Sequence, residues 1–193
     1  PKKFLEIGTQ DYKESNTRFL LINRNWDGFL IEADKGAIKN IKDQRVYWRH
    51  NLTVINEFIT KDNINNIIKK NDIPKKLGLL SLDIDGVDYW ILTKLSALDP
   101  SIIICEYNSL FGQKKLVTVP YKKNFIRSKE HYSNLYYGAS IKAFVNMMRK
   151  KNYFLVGTNS AGKNAFFVKK NLWHKINKII LKKKIFNSKF KES

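Results

Sequence analysis

Short apolar runs alternate with longer amphipathic stretches along most of this chain. The runs are Lys3 to Ile7, Phe29 to Ile31, Leu52 to Phe58, Leu79 to Leu82 and Ser101 to Cys105, each short enough for one buried strand. Between them, apolar residues recur at helical spacing. Phe19, Leu20 and Ile22 follow the capping residues Ser15, Asn16 and Thr17, and Lys35 to Trp48 reads as a second helix. Ile64, Ile67 and Ile68 follow Thr60, and Ile91, Leu92, Leu95 and Leu98 follow Asp88. Strand and helix alternate five times, which specifies a parallel sheet with helices on both faces. Gly138 to Lys151 predicts one more helix, with Ile141, Phe144, Val145 and Met148 on its apolar side. The next two runs, Tyr153 to Gly157 and Ala165 to Val168, lie too close together for a helical crossover, so they pair as an antiparallel hairpin. The expected fold is α/β, a mostly parallel seven-stranded sheet ending in that hairpin.

The alternation stops from Ser109 to Asn134. Loops this long inside a domain are functional lids or disordered segments, and Phe111, Tyr121, Phe125, His131 and Tyr132 argue for order. Residues 109–134 are therefore read as a substrate-recognising cap, whose Lys114, Lys115, Lys122, Lys123, Arg127 and Lys129 suit an acidic or phosphorylated substrate. Residues 170–193 are read as a basic C-terminal helix and tail, with Leu172, Trp173, Ile176, Ile179 and Ile180 on one side and lysines elsewhere.

Composition narrows the class. The 193 residues are of single-domain size, so 1–193 is read as one domain, and 43% hydrophobic content excludes a disordered chain. No apolar run approaches the roughly 20 residues that a membrane helix needs. Cys105 is the one cysteine, so an internal disulfide is excluded and a cytoplasmic setting is expected. The net charge of +19 comes from dispersed lysines. It reads as a solvated basic surface, with nucleic-acid binding as the rival reading. No helix-turn-helix, zinc-finger or aromatic-sheet signature accompanies it.

Candidate chemistry gathers where strands end. In an open parallel sheet ligands bind at the carboxyl ends of the strands. The first strand carries Glu6 and stops at Gly8; the second ends on Glu32, the third leads into Ile59 and Thr60, the fourth ends on Asp83 and Asp85, and the fifth on Glu106 and Asn108. Each could be a turn or capping residue. Glu32, about 20 positions past the first glycine, suits two ribose hydroxyls, because a carboxylate accepts two O–H donors at once.

These motifs together resemble the class I S-adenosylmethionine-dependent methyltransferases, and more narrowly the FkbM-like methyltransferases. The resemblance is carried by Phe4-Leu5-Glu6-Ile7-Gly8, Ser15-Asn16-Thr17 and Trp26-Asp27-Gly28-Phe29-Leu30-Ile31-Glu32. It continues through Ser81-Leu82-Asp83-Ile84-Asp85-Gly86-Val87-Asp88-Tyr89-Trp90, Glu106-Tyr107-Asn108 and Asn164-Ala165-Phe166-Phe167-Val168. It implies a Rossmann-like three-layer sandwich and S-adenosylmethionine as cofactor. It implies that Glu6, Gly8, Gln10, Asn16, Glu32, Ile59, Thr60 and Asp83 line the cofactor, with Asp83 facing the sulfonium. Asp83, Asp85, Glu106 and Asn108 become the catalytic candidates, and a sugar or other small hydroxylated metabolite the acceptor. Deprotonation of that acceptor is left open between Asp85 or Glu106 as base and a divalent ion such as Mg²⁺ held by Asp83, Glu106 and Asn108. A non-catalytic module of this fold, or an RNA methyltransferase, is the alternative. The chain departs from the family at Tyr12, where a second glycine is usual; a side chain there would narrow the cofactor loop.

Overall fold

The structure, a computed structural model, describes residues 1–177 together with Ile185 and Phe186. Its elements run β1 (Lys3–Ile7), α1 (Arg18–Arg24), β2 (Asp27–Glu32), α2 (Lys35–Lys42), α3 (Arg45–Arg49), β3 (Leu52–Asn56), α4 (Ile64–Lys70), β4 (Leu79–Leu82) and α5 (Asp88–Lys94). After β5 (Ile102–Glu106) come α6 (Arg127–Glu130), α7 (Ile141–Lys150), β6 (Tyr153–Thr158), β7 (Asn164–Lys169) and α8 (Lys170–Asn177). The strands make one seven-stranded sheet in the order β3-β2-β1-β4-β5-β7-β6, mostly parallel and closed by an antiparallel hairpin. This is the expected α/β, Rossmann-like fold. Two compact units divide the chain: Pro1–Asp83 with Lys94–Ser101, and Ile84–Thr93 with Ile102–Ser193.

In the first unit β1 pairs in parallel with β2 and β4, and β2 with β3. Ile7 lies beside Ile31 and Leu82, and Glu32 beside Asn56, so the carboxyl ends of these strands finish level. Phe4, Leu5, Leu30, Ile31 and Leu80 are buried, the near-continuous apolar burial of a parallel sheet. Gly28 is glycine for lack of room: a Cβ would sit 2.5 Å from Phe4 Cζ and 2.7 Å from Leu52 Cδ1.

In the second unit β7 pairs antiparallel with both β5 and β6, setting Glu106 beside Asn164. Ser140 Oγ caps α7 by accepting the Ala143 N–H, and the helix buries Ile141, Phe144, Met147 and Met148.

Local departures from the expected elements have identifiable causes. The helix expected over Lys35 to Trp48 breaks at Asp43-Gln44, where the Gln44 side chain donates to Asp11 and Asn40 carbonyls and accepts from Arg18. The expected apolar face of α1 is not the buried one. Leu21 is buried while Phe19 and Ile22 stand 58% and 41% exposed. The helix expected to reach Leu98 stops at Lys94, and Asn65 Oδ1 takes the Ser96 and Ala97 N–H groups. Of the expected terminal helix, α8 is described; Lys178, Ile179, Ile180, Lys182, Lys183 and Lys184 lie outside the described residues. Among the described residues no helix is long and apolar enough to cross a membrane.

Gly28→Ala tests the packing of the first unit. Overpacking of this kind should cost about 1–3 kcal/mol in a urea unfolding titration; an unchanged midpoint would mean that the strands separate more easily than their side chains imply.

Candidate functional site

In the first unit the strand ends hold two carboxylates that gather the loop between β1 and α1. β1 stops at Gly8, whose φ of 80° lies in the left-handed region and whose N–H donates to Ile31 O at 3.0 Å. The chain then turns across the end of β2. Thr9 and Gln10 donate their N–H groups to Glu32 Oε2 at 2.9 and 2.8 Å. Ala33 and Asp34 donate to Oε1 at 2.8 and 3.0 Å. A carboxylate offers about four lone-pair positions, and Glu32 has four N–H groups on them.

Glu6 is buried one position inside the end of β1. It accepts from Ser15 Oγ at 2.6 Å, from the Asn16 N–H at 3.1 Å, and from Thr17 Oγ1. Burial pushes its carboxyl above the ordinary value, and the hydrogen bonds from Ser15, Thr17 and Asn16 pull the other way. Ser15 Oγ also accepts the Thr17 and Arg18 N–H groups that open α1, so Ser15, rather than the N-cap Thr17, supplies the cap. The Asn16 side-chain amide donates to Ser81 Oγ on β4 at 3.0 Å.

Tyr12 has a left-handed φ of 61°, and its side chain is fully buried. Its hydroxyl meets Thr17 Oγ1 at 3.1 Å, and burial pushes the phenol well above its ordinary value. Arg18 sits 5.6 Å from the ring centroid and donates to Tyr12 O at 2.9 Å. The side chain thus roots the loop. Beyond β3, Ile59 and Thr60 are buried, while Phe58 stands 51% exposed. The Thr60 N–H donates to Asn63 Oδ1 at 2.7 Å. Asp83 is half-buried and its N–H donates to Ile7 O.

The second unit holds Asp85, Glu106 and Asn108. Asp85 has a left-handed φ of 57° and is exposed; Arg127 Nη1 lies 2.9 Å from its Oδ1. The same Nη1 is 3.9 Å from Oε1 of buried Glu106. The guanidinium lies 3.7 Å from the centroid of the Tyr137 ring, and its Nε donates to Asn134 O at 2.5 Å. Asp85 and Glu106 therefore share a counter-charge delivered by the long connection.

Asn108 is fully buried and tied to backbone. Its Nδ2 donates to Leu135 O at 2.9 Å and Tyr137 O at 3.0 Å, and its Oδ1 accepts the Leu110 N–H at 3.0 Å. It fastens both ends of that connection. Three further contacts hold it: the Gly138 N–H on Gly86 O at 2.8 Å, Trp90 Nε1 on Val119 O at 2.9 Å, and the Phe125 ring on Gly86. A Cβ at Gly86 would meet Phe125 Cδ1 at 2.3 Å.

Sequence reasoning assigns Arg127 to the cap, as a cation for an acidic substrate, and misses Asp88 and Tyr137. Asp88 is buried at the start of α5 and accepts the Ile84 and Gly86 N–H groups at 2.9 and 3.1 Å. It holds the turn that carries Asp85. Burial pushes its carboxyl up to about 6. An acidic residue at the start of an apolar helix, just past an Asp-Gly turn, was the available signal.

Solved structures with similar folds include methyltransferases. One is a protein assigned as a caffeoyl-CoA O-methyltransferase from Staphylococcus aureus, with a TM-score of 0.54 and 15% identity over 87% of this chain and 76% of that one. The methyltransferase domain of a bacterial Hen1, CtHen1-C, gives 0.50 and 12% over 87% and 89%. The pyocyanin biosynthetic protein PhzM gives 0.51 and 7% over 86% of this chain. This chain spans 50% of PhzM's length. At these identities the likeness is one of fold. No family model matches the chain, and no curated protein matches it by sequence.

Asp88 has a pH signature. Its carboxyl lies at about 6 when folded against an ordinary 3.8, so its contribution to stability is full below 3.8 and is lost as pH rises through about 6. The loss is on the order of 3 kcal/mol. Urea midpoints from pH 4 to 7 should fall more for the wild type than for Asp88→Asn. Parallel curves would remove Asp88 as the source.

Proposed function

We propose that this chain is an S-adenosylmethionine-dependent methyltransferase acting on a hydroxyl group of a sugar or other small hydroxylated metabolite, in the manner of the FkbM-like enzymes its motifs resemble. The observation that carries the proposal is Glu32 at the end of β2 with the Thr9 and Gln10 amides beside it. The donor set of the first unit fits the cofactor chemically. Glu32 would accept the two ribose hydroxyls, the loop amides would face the carboxylate of the methionine part, and the exposed Phe58 offers a ring face to adenine. Gly8 and Asn16 border the same loop, and Ile59 and Thr60 shape the turn that displays Phe58. Asp83 is assigned to the cationic sulfonium.

When bound, the cofactor supplies an electrophilic methyl group. This chain's residues orient the acceptor and take its proton, and holding two reactants in place is worth up to about 7–11 kcal/mol. We assign proton acceptance to Asp85, with Glu106 as the second carboxylate. Arg127 is assigned to steady both, and Asn108 and Asp88 are positioning residues for the connection and for the Asp85 turn. Residues 109–134 are assigned as the cap that selects the acceptor. Arg127 already supplies to Asp85 and Glu106 the positive charge that a divalent ion would bring there.

The rival reading is a non-catalytic module of this fold, in which Glu32 serves only its own backbone. It is favoured by the four amides on Glu32 and by the charge of +19, which suits an acidic or nucleic-acid partner. Calorimetric titration with S-adenosylmethionine separates the two. Saturable one-to-one heat is expected, weakened about tenfold or more in Phe58→Ala by loss of stacking. No heat at millimolar ligand would select the rival.

A further inference from the structure

Glu32 does more in this fold than wait for a ribose. Ala33 and Asp34, which bond its Oε1, are its immediate neighbours and belong to the turn into α2. The amides on Oε2 come from 23 and 22 positions away, in a different loop, and converge on a single oxygen. Two consecutive N–H groups aimed at one point make an anion-binding concavity. The left-handed φ values of Gly8 (80°) and Gln10 (47°) shape this one.

We infer that the Thr9–Gln10 amide pair is a carboxylate site that Glu32 fills from within, and that a ligand bearing both a vicinal diol and a carboxylate is admitted by exchange. The inference rests on the cofactor reading above and deepens it. The diol takes the two acceptor positions on Oε2, and the ligand's carboxylate takes the two N–H groups that Oε2 releases. Donors and acceptors balance on both sides. A nucleoside without the carboxylate breaks the same two bonds and leaves both N–H groups without an anion, so the exchange selects amino-acid nucleosides over simple ones.

The contacts around the loop confine the movement that the exchange needs to Thr9 and Gln10. Gly8 is held by its N–H bond to Ile31 O, and Tyr12 by its buried ring, its hydroxyl contact with Thr17 and the Arg18 bond to its carbonyl. Asp11 is held as well, its carbonyl accepting from Gln44 Nε2 at 2.7 Å, which leaves the Thr9–Gln10 peptide between the fixed points, with Thr9 O accepting the Tyr12 N–H at 2.9 Å. Tyr12 therefore acts as the root about which the latch opens.

The test follows the backbone amide resonances of Thr9 and Gln10 by nitrogen-15 NMR. In Glu32→Ala the amide pair is vacated, and free methionine should shift both resonances saturably; in the wild type the same titration should leave them in place, with apparent affinity lower by on the order of tenfold or more. S-adenosylhomocysteine should shift both in the wild type, and 5′-methylthioadenosine should bind far more weakly. Glu32→Leu, of similar size and with no acceptor, repeats the methionine titration if Glu32→Ala does not fold. Two results would overturn the inference: vacated amides indifferent to methionine, or wild-type protein that binds S-adenosylhomocysteine with both resonances unmoved. If the wild type binds no S-adenosylhomocysteine, the cofactor reading fails, and the methionine titration still decides whether the amide pair is a carboxylate site.

Discussion

Four backbone amides converge on the carboxylate of Glu32, and the carboxyl ends of the first unit's strands take their form from that convergence. Parallel strands that finish level leave N–H groups without a ladder partner, and polar backbone left unpaired is costly. Glu32 meets this need for the turn after β1 and the turn into α2 at once. Glu6 does the same one strand away, collecting Ser15, Asn16 and Thr17 so that α1 starts from a fixed point. Bonds to an ionised acceptor are about twice as strong as neutral ones, so two carboxylates can hold a loop that contains left-handed Gln10 and Tyr12. A loop held this way has a fixed shape of its own.

The second unit repeats the device with other side chains. Asn108 ties the long connection to the end of β5 through three backbone bonds, and Asp88 clamps the turn on which Asp85 stands. Arg127 completes the arrangement by stacking on Tyr137 while it faces Asp85 and Glu106. A guanidinium can do both because its plane stacks while its N–H edge points at carboxylates. The result is a pair of acidic side chains with a fixed counter-charge, carried by a segment that elsewhere exposes Tyr132 and several lysines.

The strands were legible because each is a short apolar run bounded by turn residues, and the hairpin because seven residues cannot cross a sheet. The fold class follows from those two readings. The break at Gln44 was not legible, since it depends on side-chain bonds to Asp11 and Arg18, far away in sequence. The buried face of α1 was misjudged because a seven-residue helix has too few turns for periodicity to decide which side is inward. At the strand ends, Glu32 could be picked out by its distance from Gly8. Its four amide partners could not, because they need positive φ at Gln10, which that residue type does not announce. The place of Asn108 just after Glu106 makes it a catalytic candidate. Its bonds to Leu135 and Tyr137 show what a motif leaves unsaid: the same residue type can address a ligand or its own backbone.

We propose that the carboxyl ends of β1 and β2 form a nucleoside site organised by Glu32. A crystal structure of the chain grown with S-adenosylhomocysteine tests it most directly. Both ribose hydroxyls are expected within hydrogen-bonding distance of the Glu32 carboxylate. A ligand bound elsewhere, with Glu32 still holding the Thr9 and Gln10 amides, would contradict it.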